Sequence, residues 1–145
     1  MTGSGDARAK TRSATSRVFV GVDSELGVVG FYGLSTFTLT LADLPQDIAR
    51  KLPRYDAIPA ALIGRLARDE RVRGRRIGEL LLADAVRRIL SAGRSVAVFA
   101  IVVDAKDERA RTFYQAFGFT PFPTRPGRLF LLTSTSVAAL ARSVR

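Results

Sequence analysis

LARDERVRGRRIGELLL, residues 66–82, joins a short apolar segment to a helical pattern through a basic turn that contains glycine. A strand that enters a helix in this way leaves the first N–H groups of the helix unpaired, and such groups bind anions. Arginine suits bidentate contact with phosphate, and four arginines lie in or beside the turn: Arg71, Arg73, Arg75 and Arg76. The stretch therefore predicts a phosphate or pyrophosphate site, the alternative being a basic, solvated loop in front of a core helix. The motifs G-x-x-x-x-G-K-S/T and G-x-G-x-x-G are absent, which argues against a nucleotide-triphosphate loop and a dinucleotide site.

The pattern on either side of this turn predicts a single domain over residues 17–145. Alternating or continuous apolar residues predict strands at 17–22, 28–40, 60–67, 96–103 and 128–132. Helical spacing predicts helices at 79–90 and 107–117 and a short one at 135–144. Three prolines exclude one continuous helix over 44–59, and Gly30 and Gly33 indicate a bend or a close backbone approach in the second strand. Antiparallel strands followed by β-α-β units predict an α/β (α+β) fold, with helices flanking a mixed, mostly antiparallel sheet.

A second informative stretch is VVDAKDERARTFYQAFGFTPFP, residues 102–123. Asp104 follows the apolar strand at its carboxyl end, where ligand crevices form in open α/β sheets. Phe113 and Phe117 are four residues apart and are predicted to share the core face of the helix. Tyr114 is predicted to point elsewhere, toward a crevice, the alternative being a half-buried tyrosine with no chemical role.

The composition narrows the chemistry, because the chain has no cysteine and no histidine. A thiol nucleophile, a disulfide and a Ser–His–Asp triad are excluded, and a structural zinc site loses its usual ligands. No acidic cluster suggests magnesium, so we expect no metal, and proton transfer falls to Tyr, Asp, Glu, Lys or water. The sequence shows neither a secretory signal nor an apolar run of membrane-spanning length, so we expect a soluble, cytoplasmic protein with no membrane partner.

The net charge is +10, and all but three of the 23 basic residues are arginines. One interpretation is an arginine-rich genome and a solvated basic surface. The other is a polyanionic partner such as RNA. The composition leaves both open.

Taken together, the strand–turn–helix at 66–82 and the F-Y-x-x-F-G-F helix resemble the GNAT superfamily of N-acetyltransferases. RLARDERVRGRRIGELLL, IVVDAKDERARTFYQAFGF and LFLLTSTSVAAL resemble, more closely, the GNAT toxins of bacterial type II toxin–antitoxin systems. The resemblance runs from about Arg17 to the C-terminus. It implies transfer of an acetyl group from acetyl-CoA to the amino acid on charged tRNA, which inhibits translation. It also implies a cognate antitoxin and a homodimer as partners.

The resemblance also implies roles for individual residues. The pyrophosphate turn corresponds to Arg73, Gly74, Arg75, Arg76, Ile77 and Gly78. Arg76 stands where glycine is usual, so its backbone can bind phosphate if the residue is helical and its side chain leaves the pocket. Leu66 and Ala67 match the strand that pairs with the pantetheine arm, while Asp104 and Phe113 match further cofactor-site positions. Tyr114 matches the tyrosine that protonates the leaving thiolate of coenzyme A.

The N-terminus departs from the family pattern, which begins with a strand and two helices before the strand matched by residues 17–22. Residues 1–16 are expected to be flexible or the tail of the second helix, so the usual first strand and first helix are expected to be missing. A misassigned start codon, a decayed gene and a partner that completes the fold are the open explanations. Two other functions stay open: a GNAT enzyme acting on a small amine or a protein, and a non-catalytic basic module that binds RNA or a partner.

Overall fold

The computed structural model of the protein describes residues 10–13, 16–55, 57–92 and 97–134. The described residues form seven strands and three α-helices in the order β1 (Lys10–Ser13), β2 (Ser16–Asp23), β3 (Gly27–Leu39), α1 (Gln46–Ala49), β4 (Ile58–Arg68), α2 (Ile77–Ala92), β5 (Ala100–Asp104), α3 (Glu108–Phe117), β6 (Thr120–Phe122) and β7 (Arg125–Leu132). Among the residues so described, no helix is long and apolar enough to cross a membrane.

The strands form one sheet in the order β1-β2-β3-β4-β5-β7-β6. Only β4 and β5 are parallel, because α2 carries the chain back between them, and every other neighbouring pair is antiparallel. This confirms the predicted mixed, mostly antiparallel sheet with flanking helices. The two main helices lie within two residues of their predicted bounds, since their apolar spacing is a local property of the chain.

Three local predictions are corrected. Residues 10–13 form a strand on the edge of β2 rather than the tail of a helix. Residues 120–122, for which the sequence pattern predicts no strand, form the outermost strand at the other edge. The fourth predicted strand begins only at Ala100, because residues 97–99 have no regular structure. The predicted helix at 135–144 lies outside the described residues, as do residues 1–9 and 14–15.

Two apolar clusters cover opposite faces of the sheet. The larger lies between the sheet and the two long helices, and it contains the buried stripe of α2: Ile77, Leu81, Leu82, Ala85, Val86 and Ile89. The smaller lies under the segment that includes Leu44 and α1. Residues 100–103 of β5 alternate between the two clusters and are fully buried, as expected for a continuous apolar run in a central strand.

A polar contact within the larger cluster connects α2 to the sheet. The buried hydroxyl of Tyr32 on β3 donates a short hydrogen bond to the Asp84 carboxylate on α2. Arg88, one helical turn further on, donates to the same carboxylate with 3.1 Å between Nε and Oδ2. The Arg88 guanidinium also lies 4.3 Å from the ring centroid of Phe19 on β2. These contacts hold the helix whose first turn forms part of the candidate site.

Candidate active site

The two parallel strands separate at their carboxyl ends. β4 pairs with β5 only where residues 60–63 face residues 100–103, yet β4 continues to Arg68. On the β5 side of residues 64–68, no strand of the described part of the chain forms a ladder with β4. We call this gap, between residues 64–68 and the end of β5 at Asp104, the β4–β5 wedge. Leu66 and Ala67 border it, with backbone groups to which an extended ligand can bind as an added strand.

A β-bulge bends β4 where the wedge begins. The register with β3 shifts between Gly33, which faces Gly64, and Phe31, which faces Ala67, so β4 holds one extra residue there. Arg65 lies within the bulge with a left-handed φ of 50°, a conformation that few residues other than glycine adopt. Bulges of this kind redirect a strand and its side chains beside active sites.

The predicted phosphate-binding turn lies between β4 and α2. Asp69 accepts a hydrogen bond from the backbone N–H of Arg71 and so begins a short 3₁₀ helix, whose fully buried Val72 anchors the turn in the core. Gly74 then takes a left-handed φ of 84°, with no atom near the position that a Cβ would occupy. The first three backbone N–H groups of α2 belong to Ile77, Gly78 and Glu79. They donate to no acceptor in the described ranges.

The structure pairs most of the arginines around this turn with carboxylates. Arg71 binds Asp69 with 3.0 Å between Nη2 and Oδ2, which lowers the pKa of that carboxyl group, and it also donates to the Val28 carbonyl. Arg73 lies 3.9 Å from Glu70. The exposed Arg75 makes neither a hydrogen bond nor an ion pair with a described residue, so its guanidinium remains available to an anion.

The backbone at Arg76 is left-handed, with a φ of 60°. This differs from the helical conformation that was expected if its backbone binds phosphate. The left-handed conformation explains why glycine is usual there, since glycine adopts it without steric cost. The side chain does leave the helix start: it is 78% exposed, and Nε and Nη2 lie 2.9 and 2.6 Å from Glu79 Oε2.

Tyr114 is the buried aromatic residue of α3, contrary to the prediction that the phenylalanines on either side would take the core positions. Its side chain is 5% exposed, whereas Phe113 and Phe117 are only partly buried against the same cluster. Its ring meets those of Phe113 and Phe119 edge-on, with centroids 5.3 and 5.7 Å away. Within the described residues its hydroxyl makes no hydrogen bond, so the group is free to donate to a ligand.

Phe113 connects the two halves of the site. A Cβ added to Gly78, in the first turn of α2, would meet the Phe113 ring at 3.6 Å. The ring therefore lies against the helix start, and no bulky side chain fits between the two. The fold thus brings Phe113 and Gly78, more than 30 residues apart in sequence, next to each other.

Asp104, at the end of β5, forms a bidentate ion pair with Arg128 on β7. The distances are 2.8 Å from Arg128 Nε to Asp104 Oδ1 and 3.0 Å from Nη2 to Oδ2. This pairing lowers the pKa of the Asp104 carboxyl group. Burial, and secondarily the charge of Asp104, raise the pKa of Tyr114 to about 12. The tyrosine hydroxyl therefore stays protonated over the whole neutral range, where it can donate a hydrogen bond or a proton but cannot act as a phenolate base.

The geometry combines a helix start with free N–H groups, a strand edge without a neighbouring strand among the described residues, and a protonated phenol. A model of the acetyltransferase (GNAT) domain matches residues 14–121. This chain belongs to the GNAT acetyltransferase family. The GNAT chain is 31% identical over 89% of its length to the probable toxin TacT of Sinorhizobium fredii (strain NBRC 101917 / NGR234), covering 76% of that protein. It is 40% identical over 78% of its length to a tRNA-acetylating toxin of Mycobacterium tuberculosis (strain ATCC 25618 / H37Rv), covering 67% of that protein.

Solved structures support the same family. This GNAT chain superposes on AtaT in complex with acetyl-methionyl-tRNAfMet with a TM-score of 0.77 and 30% identity, over 87% of this chain and 76% of that one. It superposes on AtaTR bound to acetyl-CoA with a TM-score of 0.73 and 29% identity, over 87% and 75% of the two chains. It superposes on a tyrosine-to-phenylalanine variant of KacT with a TM-score of 0.76 and 29% identity, over 83% of this chain and 73% of that one.

Sequence reasoning missed two arginines of this GNAT domain. Arg128 escaped notice because its partner Asp104 lies 24 residues away and only the antiparallel pairing of β5 with β7 makes them neighbours. The apolar pattern assigns Arg65 to a regular strand, whereas its backbone is left-handed. The Gly64 that precedes it was the one available signal, since an isolated glycine within a strand pattern often marks a bulge.

Proposed function

We propose that this chain transfers the acetyl group of acetyl-CoA to the α-amino group of the amino acid on charged tRNA. The observation that carries the proposal is the β4–β5 wedge. One border of it, residues 64–68, precedes the basic turn into α2, and the other ends at Asp104, whose charge acts on the protonated Tyr114 hydroxyl. A linear molecule with a polyphosphate at one end and a thioester at the other suits this arrangement.

For acetyl-CoA, the proposed contacts follow from charge and shape. The free N–H groups at the start of α2, with Arg75 beside them, suit the pyrophosphate. We propose that the backbone of the turn residues Arg73, Gly74 and Arg76 also contacts the pyrophosphate. The open edge of β4 at Leu66 and Ala67 suits the two amides of the pantetheine arm.

The chemistry needs one donor at the sulfur. The neutral substrate amine attacks the thioester carbonyl, the carbon–sulfur bond breaks and the thiolate departs. The attacking nitrogen loses one proton and keeps the other as the amide N–H. Tyr114, with a pKa of about 12, donates a hydrogen bond to the departing sulfur. Because the leaving thiol has a pKa of about 8.5, complete proton transfer from the Tyr114 phenol to the thiolate is uphill. The proton released by the attacking nitrogen therefore replaces the one that the phenol gives to the sulfur. The positive charge of Arg128 beside Asp104 keeps that carboxylate ionised, and it accepts no proton at neutral pH.

The charge of the chain and its similarity to proteins that act on tRNA support charged tRNA as the acceptor. A net charge of +10 attracts a polyphosphate backbone at long range. One relative is a tRNA-acetylating toxin, and one solved neighbour holds acetyl-methionyl-tRNAfMet. Neighbours have also been solved with an antitoxin. We accordingly propose that this chain is a toxin that acts on translation in the cytoplasm and is neutralised by a protein antitoxin.

The test is the transfer of labelled acetyl groups from acetyl-CoA to a pool of charged tRNAs, with Tyr114→Phe assayed beside the wild type. Loss of a positioned acid costs about 10²- to 10⁴-fold in rate, so we expect turnover to fall by that factor while acetyl-CoA binding is retained. Tyr55→Phe is the matched control, because Tyr55 is 59% exposed and lies outside the proposed site. It should turn over at the wild-type rate.

Labelled aminoacyl-tRNA from the wild type would support the acceptor, and mass spectrometry of the released label would identify the amino acid. The same pool after mild alkaline discharge should take up no label. Binding of acetyl-CoA without transfer to any charged tRNA would refute the acceptor. Full activity in Tyr114→Phe would refute the role of the phenol.

A further inference from the structure

A cavity opens beside the bulge in β4, on the face of the sheet opposite the two long helices. It has a volume of about 440 Å³ and is lined by residues that include Ser16, Phe31, Ser35, Gly64 and Arg65. We call it the Arg65 cavity. Phe31 alternates along β3 with Tyr32, which faces α2, so the cavity lies on the side of the sheet opposite the two long helices. The volume lies within the range of about 300–1,000 Å³ found for small-molecule sites.

Arg65 is the charged group of this cavity. Its side chain is exposed, and it makes no ion pair or hydrogen bond with any residue of the described ranges. No carboxylate is among the described residues that line the cavity. Arg65 is therefore an unneutralised cation among the described residues that line the cavity, and such a cation suits the binding of an anion.

The cavity also borders the place where transfer would occur. Ile63 is the last residue of β4 that pairs with β5, and Gly64 and Arg65 follow it directly. The β4–β5 wedge thus opens within one or two residues of the cavity. A ligand in the Arg65 cavity would meet the wedge from the face opposite α2, whose first turn is the proposed phosphate site for acetyl-CoA. The two substrates could then be bound together without competing for space.

The remaining lining suits a nucleotide rather than a bare anion. Phe31 contributes a half-buried aromatic ring, and aromatic rings stack on nucleobases. Ser16 and Ser35 face each other across β2 and β3 and bring two hydroxyl groups to the same face, as hydrogen-bonding partners for a ribose. Resting on the proposed function, we infer that the Arg65 cavity binds the 3′-terminal nucleotide of charged tRNA, with the Arg65 guanidinium on its phosphate.

The backbone of Arg65 makes a clean test possible. Because its φ of 50° suits glycine better than any residue with a Cβ, Arg65→Gly removes the guanidinium without straining the bulge. We expect Arg65→Gly to melt at or above the wild-type temperature. Because Arg65 borders the β4–β5 wedge, the affinity for acetyl-CoA is measured separately, and KM for charged tRNA is determined with both proteins saturated with acetyl-CoA. A charge-assisted contact with phosphate makes a contribution that corresponds to about 10- to 100-fold in binding. We therefore expect KM for charged tRNA to rise by that factor, with kcat nearly unchanged.

Two comparisons separate a local phosphate contact from a general loss of charge. Arg87→Ala removes one exposed positive charge from α2, outside both proposed sites, and should leave KM near the wild-type value. Aminoacyl-adenosine, which lacks the phosphate, should be acetylated by the wild type and Arg65→Gly with the same KM. The salt dependence of KM for charged tRNA should be shallower in Arg65→Gly by about 0.7 log units per decade.

An unchanged KM for charged tRNA in Arg65→Gly would overturn the inference while leaving the proposed function intact. An equal loss with aminoacyl-adenosine would also overturn it, because the effect would then not involve a phosphate. If the wild type acetylates neither charged tRNA nor aminoacyl-adenosine while it binds acetyl-CoA, the proposed function fails and this inference fails with it.

Discussion

Gly30 on β3 lies where three elements of the site meet, so Gly30→Ala should destabilise the protein. A Cβ at this position would lie 2.6 Å from Leu81 Cδ1 and 2.8 Å from the carbonyl oxygen of Ala67. Both distances are about 1 Å shorter than an ordinary contact between non-bonded atoms. Leu81 is 1% exposed and packed on all sides, and the Ala67 oxygen belongs to a paired strand, so neither can move freely.

The magnitude follows from two opposing effects. Overpacking a core costs about 1–3 kcal/mol, and two simultaneous overlaps place this site at the upper end. Replacing glycine by alanine also restricts the unfolded chain, which offsets about 0.4–1 kcal/mol. The free energy of unfolding should therefore fall by about 2 kcal/mol. For a chain of this length the loss corresponds to about 4–8 °C in Tm.

The assay is urea unfolding followed by circular dichroism, with Gly64→Ala as the matched control. Gly64 lies on the neighbouring strand, and no atom comes within 4 Å of the position that its Cβ would take. The same chemical change there should leave stability unchanged or raise it by up to about 1 kcal/mol. If Gly30→Ala were as stable as the wild type, or if both variants lost the same amount, the close approach of β3, β4 and α2 would be wrong.

Three further outcomes are expected. Gly78→Ala should stabilise the protein by up to about 1 kcal/mol in urea unfolding, because alanine favours a helix and its Cβ would meet the Phe113 ring at an ordinary 3.6 Å; a loss of stability would contradict that packing. Stability should decline as pH rises from about 10 to about 12, since folded Tyr114 keeps its proton until a pKa of about 12 while the unfolded chain loses it near 10. Burial also raises the pKa of Tyr32, which contributes to the same decline, so Tyr114→Phe should make the decline less steep without abolishing it in unfolding measured at pH 9, 10 and 11. An equally steep slope would argue against a buried Tyr114 phenol. KM for charged tRNA should rise by about 0.7–0.9 log units per phosphate contact for each tenfold increase in salt, and a flat response would rule out an electrostatic role for the +10 charge.

The local features of the fold could be predicted from the sequence because they depend on residues close in the chain. The stripe on α2 and the continuous apolar run of β5 determine a helix and a buried strand by their spacing alone. The position of the turn proposed to bind phosphate follows in the same way, since a strand, a glycine turn and a helix start are consecutive. Short edge strands escaped prediction because β1 and β6 are stabilised by their partners and carry little pattern of their own.

The sequence by itself determined where the helix start lies and which chemistry is impossible without histidine or cysteine. Only the tertiary structure decided which groups are free to act. Register and packing pair Asp104 with Arg128 and bury Tyr114 where a phenylalanine was expected. They also leave Arg65 and Arg75 without an ion pair or a side-chain hydrogen bond to any described residue. These outcomes depend on distances between residues far apart in the chain, and periodicity carries no information about such distances. The same holds for the left-handed backbone at Arg65 and Arg76, because the surrounding packing imposes a conformation that arginine itself does not favour.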